Sequence, residues 1–280
     1  MRTLVAIPVY NEERYIPRVI AHVLEYADAG NVLVIDDGST DRTPSLLARF
    51  PVDVVRHGAN RGYGRSLRDA FSLAACRGYE AIITMDCDEQ HEPSMIPVFR
   101  EALAAEADDG SGPWDVVSGS RYLEPDPTGD NPPADRRRIN DLITREINER
   151  LADRLGLVLT DSFCGFKAYR VEALRRLRLT EDGYAFPMQF WVQAAAPPLP
   201  APSGAAGGAD GPDRPLRIRE IPVRLIYNDP NRTFGGPLDD PERRLAHYRR
   251  VLHCELARAA HRLPAAAVTG IRVPAGCGRA

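Results

Sequence analysis

The chain has 280 residues, ample for one large α/β domain with a continuous core and marginal for two. A hydrophobic fraction of 44%, a charged fraction of 27% and a formal net charge of −3 are ordinary for a soluble globular protein and give no electrostatic case for nucleic acid. Five widely spaced cysteines with neither a CxxC pair nor a disulfide-like rhythm suit a reducing, cytoplasmic setting, and no apolar run reaches the ~18 residues of a transmembrane segment.

Short β-branched runs alternate with amphipathic stretches through the first half, which predicts βα units around a mostly parallel sheet. Strands are expected at Leu4–Pro8, Val32–Asp36, Val52–Arg56, Ala81–Asp86 and Asp115–Gly119. Helices are expected near Arg14–Ala27, Arg42–Arg49, Gly64–Arg77 and Pro93–Ala107, with Ser39 or Thr40 and Asp41 capping the second. A long charged helix then runs from Asp135 to Leu155, followed by a strand at Gly165–Tyr169 and helices near Val171–Leu177 and Pro187–Ala196. The Pro, Ala, Gly, Ser and Asp of 197–215 cannot build a core and read as a flexible insertion. A strand at Leu216–Ile226 and a basic helix at Pro241–His261 complete the order. The expected organisation is a domain over 1–235, a helical extension over 236–263 and a disordered tail over 264–280.

Chemistry concentrates where strands end. In IITMDCDEQHEP an apolar strand stops in Asp86, Cys87, Asp88, Glu89 and Gln90, at the edge where open α/β sheets bind ligands. Residues two apart point the same way in extended chain, so Asp86, Asp88 and Gln90 can offer oxygen ligands to one Mg²⁺ or Mn²⁺; the plain alternative is a polar turn. VLVIDDGSTDRT ends a second strand in Asp36 and Asp37, able to accept from a base or ribose, or simply to form an Asp-Gly turn. The first strand delivers Pro8, Tyr10 and Glu12 to the same edge, with Tyr10 able to flank a base and Glu12 to bond a ribose. In SGSRY, Arg121 can reach a phosphate. His91, inside the acidic run, can contact a sugar or diphosphate or hydrogen-bond the loop from behind, and the other histidines, His57 among them, show no metal-ligand spacing.

The series IPVYNEE, VIDDGSTDRT, NRGYGRSLRDAF, MDCDEQHEP, GSRY and DSFCGFKAYR, in this order, resembles the family-2 inverting glycosyltransferases, and most the dolichyl-phosphate mannosyltransferase branch. The resemblance implies a GT-A fold, a Rossmann-like three-layer α/β/α arrangement with a mostly parallel central sheet. It implies that Pro8, Tyr10, Glu12 and Asp37 hold the nucleoside, that Asp86, Asp88 and Gln90 bind Mg²⁺ or Mn²⁺, with Asp88 serving the chemistry, and that Arg121 neutralises phosphate. Asp161 is the candidate general base on the same grounds. The basic run Arg136–Arg138 with Asn140, Thr144 and Arg145, together with Arg232, supplies the candidates for an acceptor phosphate, Arg138, Thr144 and Arg232 foremost; a solvated helix face is the plain alternative. Two departures stand out: Gln189 in FPMQFW replaces a Glu common in the branch, and Glu89 replaces an apolar residue.

The expected activity is inverting transfer of a hexose from a GDP-mannose or UDP-glucose type donor to a polyprenyl phosphate, by a cytoplasmic protein peripheral at the inner face of a membrane. A soluble or polysaccharide acceptor is the alternative. A nucleotidyltransferase would open with a Gly-rich loop and a Lys or Arg where this chain has YNEER, and a non-catalytic nucleotide-sugar binder requires Gln189 to mark a lost activity.

Overall fold

A computed structural model describes residues 1–107, 110, 112–124, 132–197, 214–229, 233–273 and 277. Seven strands make one sheet: β1 (Thr3–Val9), β2 (Val32–Asp36), β3 (Asp53–Arg56), β4 (Ala81–Thr84), β5 (Val116–Ser120), β6 (Lys167–Arg170) and β7 (Ile218–Pro222). Their order is β3-β2-β1-β4-β6-β5-β7. Only β6 is antiparallel to its neighbours, β4 and β5.

Burial on both faces explains why the strands read as continuous apolar runs. Along β1, Leu4 and Ala6 join one core cluster while Val5, Ile7 and Val9 join the other, the period-2 alternation of a pleated strand. One face is covered by α1 (Ile16–Val23) and α4 (Ile96–Ala104). The other carries α3 (Tyr63–Cys76), α5 (Ala134–Leu155) and α7 (Phe186–Ala195). The expected three layers around a mostly parallel sheet are present. Short helices α2 (Thr43–Leu47) and α6 (Val171–Leu174) follow β2 and β6.

In α5 the residues Ile139, Ile143, Ile147, Leu151 and Leu155 recur every fourth position and are all buried, so its many charges occupy the remaining faces. Gly156 closes it in the left-handed conformation at φ 70°.

The expected extension at 236–263 contains α8 (Pro241–Arg258), whose Leu245, Tyr248, Leu252 and Leu256 enter the same core cluster as α5 and α7. Most of the expected insertion, 198–213, lies outside the described residues, and Leu216 N–H donating to Ala194 O at 2.8 Å ties its ends together. The tail expected to be disordered from 264 begins instead with α9 (Ala265–Val268), in which Ala267 is 1% exposed. The Arg150 guanidinium donates to Ala267 O and Thr269 O at 3.1 Å each, and Cys254 is joined to Cys277 across a Cα separation of 5.5 Å. Cysteine spacing alone concealed that pair. Among the described residues no helix is long and apolar enough to cross a membrane.

Candidate active site

Register decides what reaches the ligand-binding edge. Val9 pairs with Asp36 and Ala6 with Thr84, so the carboxyl ends of β1, β2 and β4 open side by side. Antiparallel β6 starts at that edge, with Lys167 opposite both Thr84 and Ser118, so the preceding DSFCG turn arrives there too. Above this edge lies a cleft of about 660 Å³, within the range of small-molecule sites. Pro8, Tyr10, Glu12, Asp37, Asp86, Asp88, Gln90 and Arg121 all line it.

After β1 the chain turns through Asn11 at φ 56°, whose Oδ1 accepts from Thr40 N at 2.8 Å while its own N–H donates to Ser39 Oγ at 2.9 Å. This locks the ends of β1 and β2 together. Arg42, not Ser39, Thr40 or Asp41, holds the N-cap position of α2; Asp41 Oδ1, just ahead of the helix, accepts from Thr43 N, and Ser39 is used elsewhere. Asp37 is held on three sides. Its Oδ1 accepts from Arg61 N at 2.8 Å and lies 2.6 Å from His57 Nδ1, and its Oδ2 accepts from Gly62 N at 2.8 Å. Gly62 is needed for this: its φ is 104°, and a Cβ there would sit 2.3 Å from Asp182 O.

Strand β4 stops at Thr84, two residues short of the expected Asp86, and Glu89 at φ 59° breaks the extended run. Asp86, Asp88 and Gln90 converge through a turn, with Asp88 Oδ1 accepting from Gln90 N at 3.1 Å and Asn228 Nδ2 donating to Asp88 O. Tyr63 Oη donates to Asp86 Oδ1 at 3.1 Å. His91, buried behind the turn, accepts Asp86 N–H at Nδ1 (2.9 Å), which leaves its ring proton on Nε2. It holds the loop in shape. Glu89 turns away to the surface and forms a two-pronged pair with Arg18 of α1 at 2.5 and 2.9 Å, which accounts for the charge where an apolar residue is usual.

A divalent cation fits Asp86, Asp88 and Gln90 by donor type. Among the described residues no group of three or more His, Cys, Asp or Glu could hold a metal ion unaided. Two carboxylates and an amide oxygen suit an ion that takes its other oxygens from a bound diphosphate and water, and Gln90 Nε2, buried without a partner, is a donor suited to such a diphosphate.

Arg121 and Asp161 meet each other. Arg121 Nε donates to Asp161 Oδ2 at 2.6 Å and one terminal nitrogen to Oδ1 at 2.9 Å, a fork across 40 residues of sequence. Asp161 is fully buried, does not line the cleft, and also accepts the N–H of Phe163 and Cys164. Burial alone would push its carboxyl up, but the charge and hydrogen bonds of Arg121 outweigh it and hold the group below the usual carboxylate range. The turn around it is fixed by Glu220 accepting from the N–H of Thr160 and Asp161, by Trp191 Nε1 donating to Ser162 O, and by buried Lys167 donating to Cys164 O.

Of the acceptor candidates, Arg138 pairs with Glu242 on the surface and does not line the cleft. Thr144 is buried between Asn140 and Ser162, at 2.9 and 2.8 Å, and does not line it either. Arg232 lies outside the described residues. The cleft instead receives Arg136, whose guanidinium lies 4.9 Å from the Phe234 ring and 5.6 Å from that of Tyr227, and Arg244, 4.4 Å from Phe234 and paired with Asp135. Tyr122, Phe163, Tyr184 and Tyr248 add aromatic surface. Within the basic run, helical phase singles out Arg136, which shares a face with Ile139, Asn140 and Ile143, whereas Arg138 is two steps of about 100° further round. Nothing local marks Arg244 or Tyr248.

Gln189 is structural. Its Oε1 accepts from Thr180 N and Glu181 N at 2.6 and 2.9 Å, and its Nε2 donates to Glu255 Oε2 of α8 at 3.0 Å. Gln193 donates to the other oxygen of Glu255 at 2.7 Å. The two amides fasten the loop that packs on Gly62 and Gly64 to the C-terminal helix.

The sequence pattern of glycosyl transferase family 2 matches residues 4–178. The chain is 31% identical over 202 residues to polyprenol monophosphomannose synthase of Mycolicibacterium smegmatis, covering 69% of this chain and 72% of that protein. It is 31% identical over 205 residues to undecaprenyl-phosphate mannosyltransferase of Micrococcus luteus, covering 70% and 78%. In fold it is similar to glucosyl-3-phosphoglycerate synthase of Mycobacterium tuberculosis, solved with Mn²⁺, UDP-glucose and phosphoglyceric acid. That match has a TM-score of 0.60 at 22% identity and covers 94% of this chain and 80% of that one.

Proposed function

This chain belongs to glycosyl transferase family 2, and from that premise we propose that it transfers a hexose from a nucleoside-diphosphate sugar to a polyprenyl phosphate, with inversion at the anomeric carbon. The fold is that of the GT-A glycosyltransferases, and the protein is an enzyme of that class. One observation carries the finer reading: the acidic strand ends Asp37, Asp86 and Asp88 and the cations Arg121, Arg136 and Arg244 line one cleft among aromatic rings.

In this reading Tyr10, Glu12 and Asp37, with Pro8 beside them, hold the nucleoside. A Mg²⁺ or Mn²⁺ held by Asp86, Asp88, Gln90 and the donor diphosphate would offset the charge that builds on the departing nucleoside diphosphate. Arg121 adds fixed positive charge at the same place, its orientation set by the fork to Asp161 rather than by the substrate. Asp161 is then a positioning residue. A phosphate acceptor attacks as an anion and needs no strong base, which agrees with a carboxylate held ionised, buried and off the cleft. Arg136 and Arg244 suit the acceptor phosphate, and the rings of Tyr227, Phe234 and Tyr248 suit the apolar chain behind it. An acceptor of this kind resides in a bilayer, so the enzyme would work as a peripheral protein on a cytoplasmic membrane face.

The test is transfer measured by mass spectrometry with GDP-mannose and UDP-glucose, with and without Mn²⁺ and undecaprenyl phosphate, using Asp88→Ala as control. The expected product is a polyprenyl-phosphate hexose that requires the metal and is lost in Asp88→Ala. Turnover independent of lipid phosphate would move the assignment to a soluble acceptor. Pyrophosphate release from a nucleoside triphosphate would replace the reaction class.

A further inference from the structure

His57 follows β3, is buried, and does not line the cleft. Its ring lies between two carboxylates, with Nδ1 2.6 Å from Asp37 Oδ1 and Nε2 3.0 Å from Asp69 Oδ2. Asp69 sits on α3 one turn after Arg65, whose Nε donates to the same Oδ2 at 2.8 Å. Burial pushes the Asp69 carboxyl up, but Arg65 and His57 together hold it below its ordinary range. Asp69 is thus a fixed acceptor that anchors the far side of the ring.

A carboxylate oxygen has two lone-pair directions. On Asp37, Oδ1 has both directions occupied, by Arg61 N–H and His57, while Oδ2 has one occupied, by Gly62 N–H. The terminal torsion of an Asp side chain is otherwise broad and roughly two-fold. Without the imidazole, Asp37 would keep its two backbone donors and lose the side-chain contact that selects one setting of that torsion.

We propose that His57, clamped from behind by Asp69, is a positioning residue for donor binding, which holds Asp37 so that Oδ2 keeps one free lone pair aimed at the nucleoside. The proposal rests on the reading of Asp37 as a nucleoside contact. Because His57 touches neither the cleft nor the reacting atoms, its loss changes donor affinity and leaves the chemical step alone.

The experiment is calorimetric titration of the full-length protein with GDP-mannose and with UDP-glucose in Mn²⁺, beside steady-state kinetics, for His57→Leu, His57→Asn, Asp69→Asn and Asp37→Ala. His57→Leu is expected to weaken the donor about tenfold to a hundredfold, the range of one hydrogen bond to a charged group, through KM and Kd with kcat little changed. His57→Asn, whose amide nitrogen can take the place of Nδ1, restores most of the affinity, and Asp69→Asn gives a smaller loss than leucine. A folded His57→Leu with wild-type donor Kd overturns the proposal. Should that variant not fold, a folded Asp69→Asn with unchanged Kd does the same. Asp37→Ala separates the two levels. If it leaves donor affinity intact, the nucleoside reading itself fails; if it abolishes binding while His57→Leu does not matter, only the positioning role falls.

Discussion

Replacing Asp161 by asparagine tests whether that residue organises the site or performs the proton transfer. The substitution keeps the shape and one acceptor for the N–H groups of Phe163 and Cys164, but removes the charge facing Arg121, whose side chain is 14% exposed. Breaking a buried pair from one side costs about 3–5 kcal/mol, and the retained amide places this case near 3. For a domain of this size that is a fall in Tm of roughly 6–12 °C. Because the folded carboxyl lies below its unfolded value near 3.9, its contribution is fully present above that value and is lost as pH falls through the folded pKa. The Tm gap between the two proteins should therefore be constant across neutral pH and close only in acid. Differential scanning fluorimetry over pH, with transfer rates measured well below both Tm values, reads this out. Unchanged Tm together with a kcat loss of about 10²–10⁴ would refute the reasoning and return Asp161 to the role of general base.

Gly62→Ala places a methyl 2.3 Å from Asp182 O at a φ of 104° and should cost about 2 kcal/mol or more, with weaker donor binding because the Gly62 N–H supports Asp37; calorimetry and Tm check both. Gln189→Ala removes the acceptor for two part-buried N–H groups and the donor to buried Glu255, a loss of about 1–3 kcal/mol, so Tm should drop while kcat per folded molecule persists; lost kcat in a folded variant would show a catalytic part for Gln189. The Glu146 carboxyl is held below its ordinary value, first by its hydrogen bond from His253 and then by Arg249, against the effect of burial. Its contribution is present above about pH 4.3 and lost below, so Glu146→Gln should lower Tm at neutral pH and flatten the acid limb of the Tm profile; parallel profiles would contradict this.

The acidic edge of the cleft was legible because apolar strands announce their own ends: VLVID stops at Asp36–Asp37 and IIT shortly before Asp86, and parallel register brings those ends together. The fold class followed from the same alternation. What stayed hidden depends on long-range partners or helical phase. Asp161 looks available for chemistry until a separation of 40 residues is closed and it is found off the cleft, paired with Arg121. Three consecutive arginines, Arg136 to Arg138, are equivalent in composition, and only the buried stripe of α5 decides that Arg136 faces the cleft. His57 carried no spacing signal because its partners, Asp37 and Asp69, are 20 and 12 residues away on other elements.

The cleft is walled by two stretches of chain with different standing. The residues from Pro8 to Phe163 fall inside the segment matched by the family pattern, 4–178, whereas Tyr184, Tyr227, Phe234, Arg244 and Tyr248 come from beyond it. The later wall is attached through the Gln189–Glu255 contacts and the α7–α8 packing, and it meets the Asp86–Gln90 turn at Asn228, whose Nδ2 donates to Asp88 O. On the reading proposed above, a chimera that exchanges the later wall but keeps Asn228 would change the acceptor while the donor stays held.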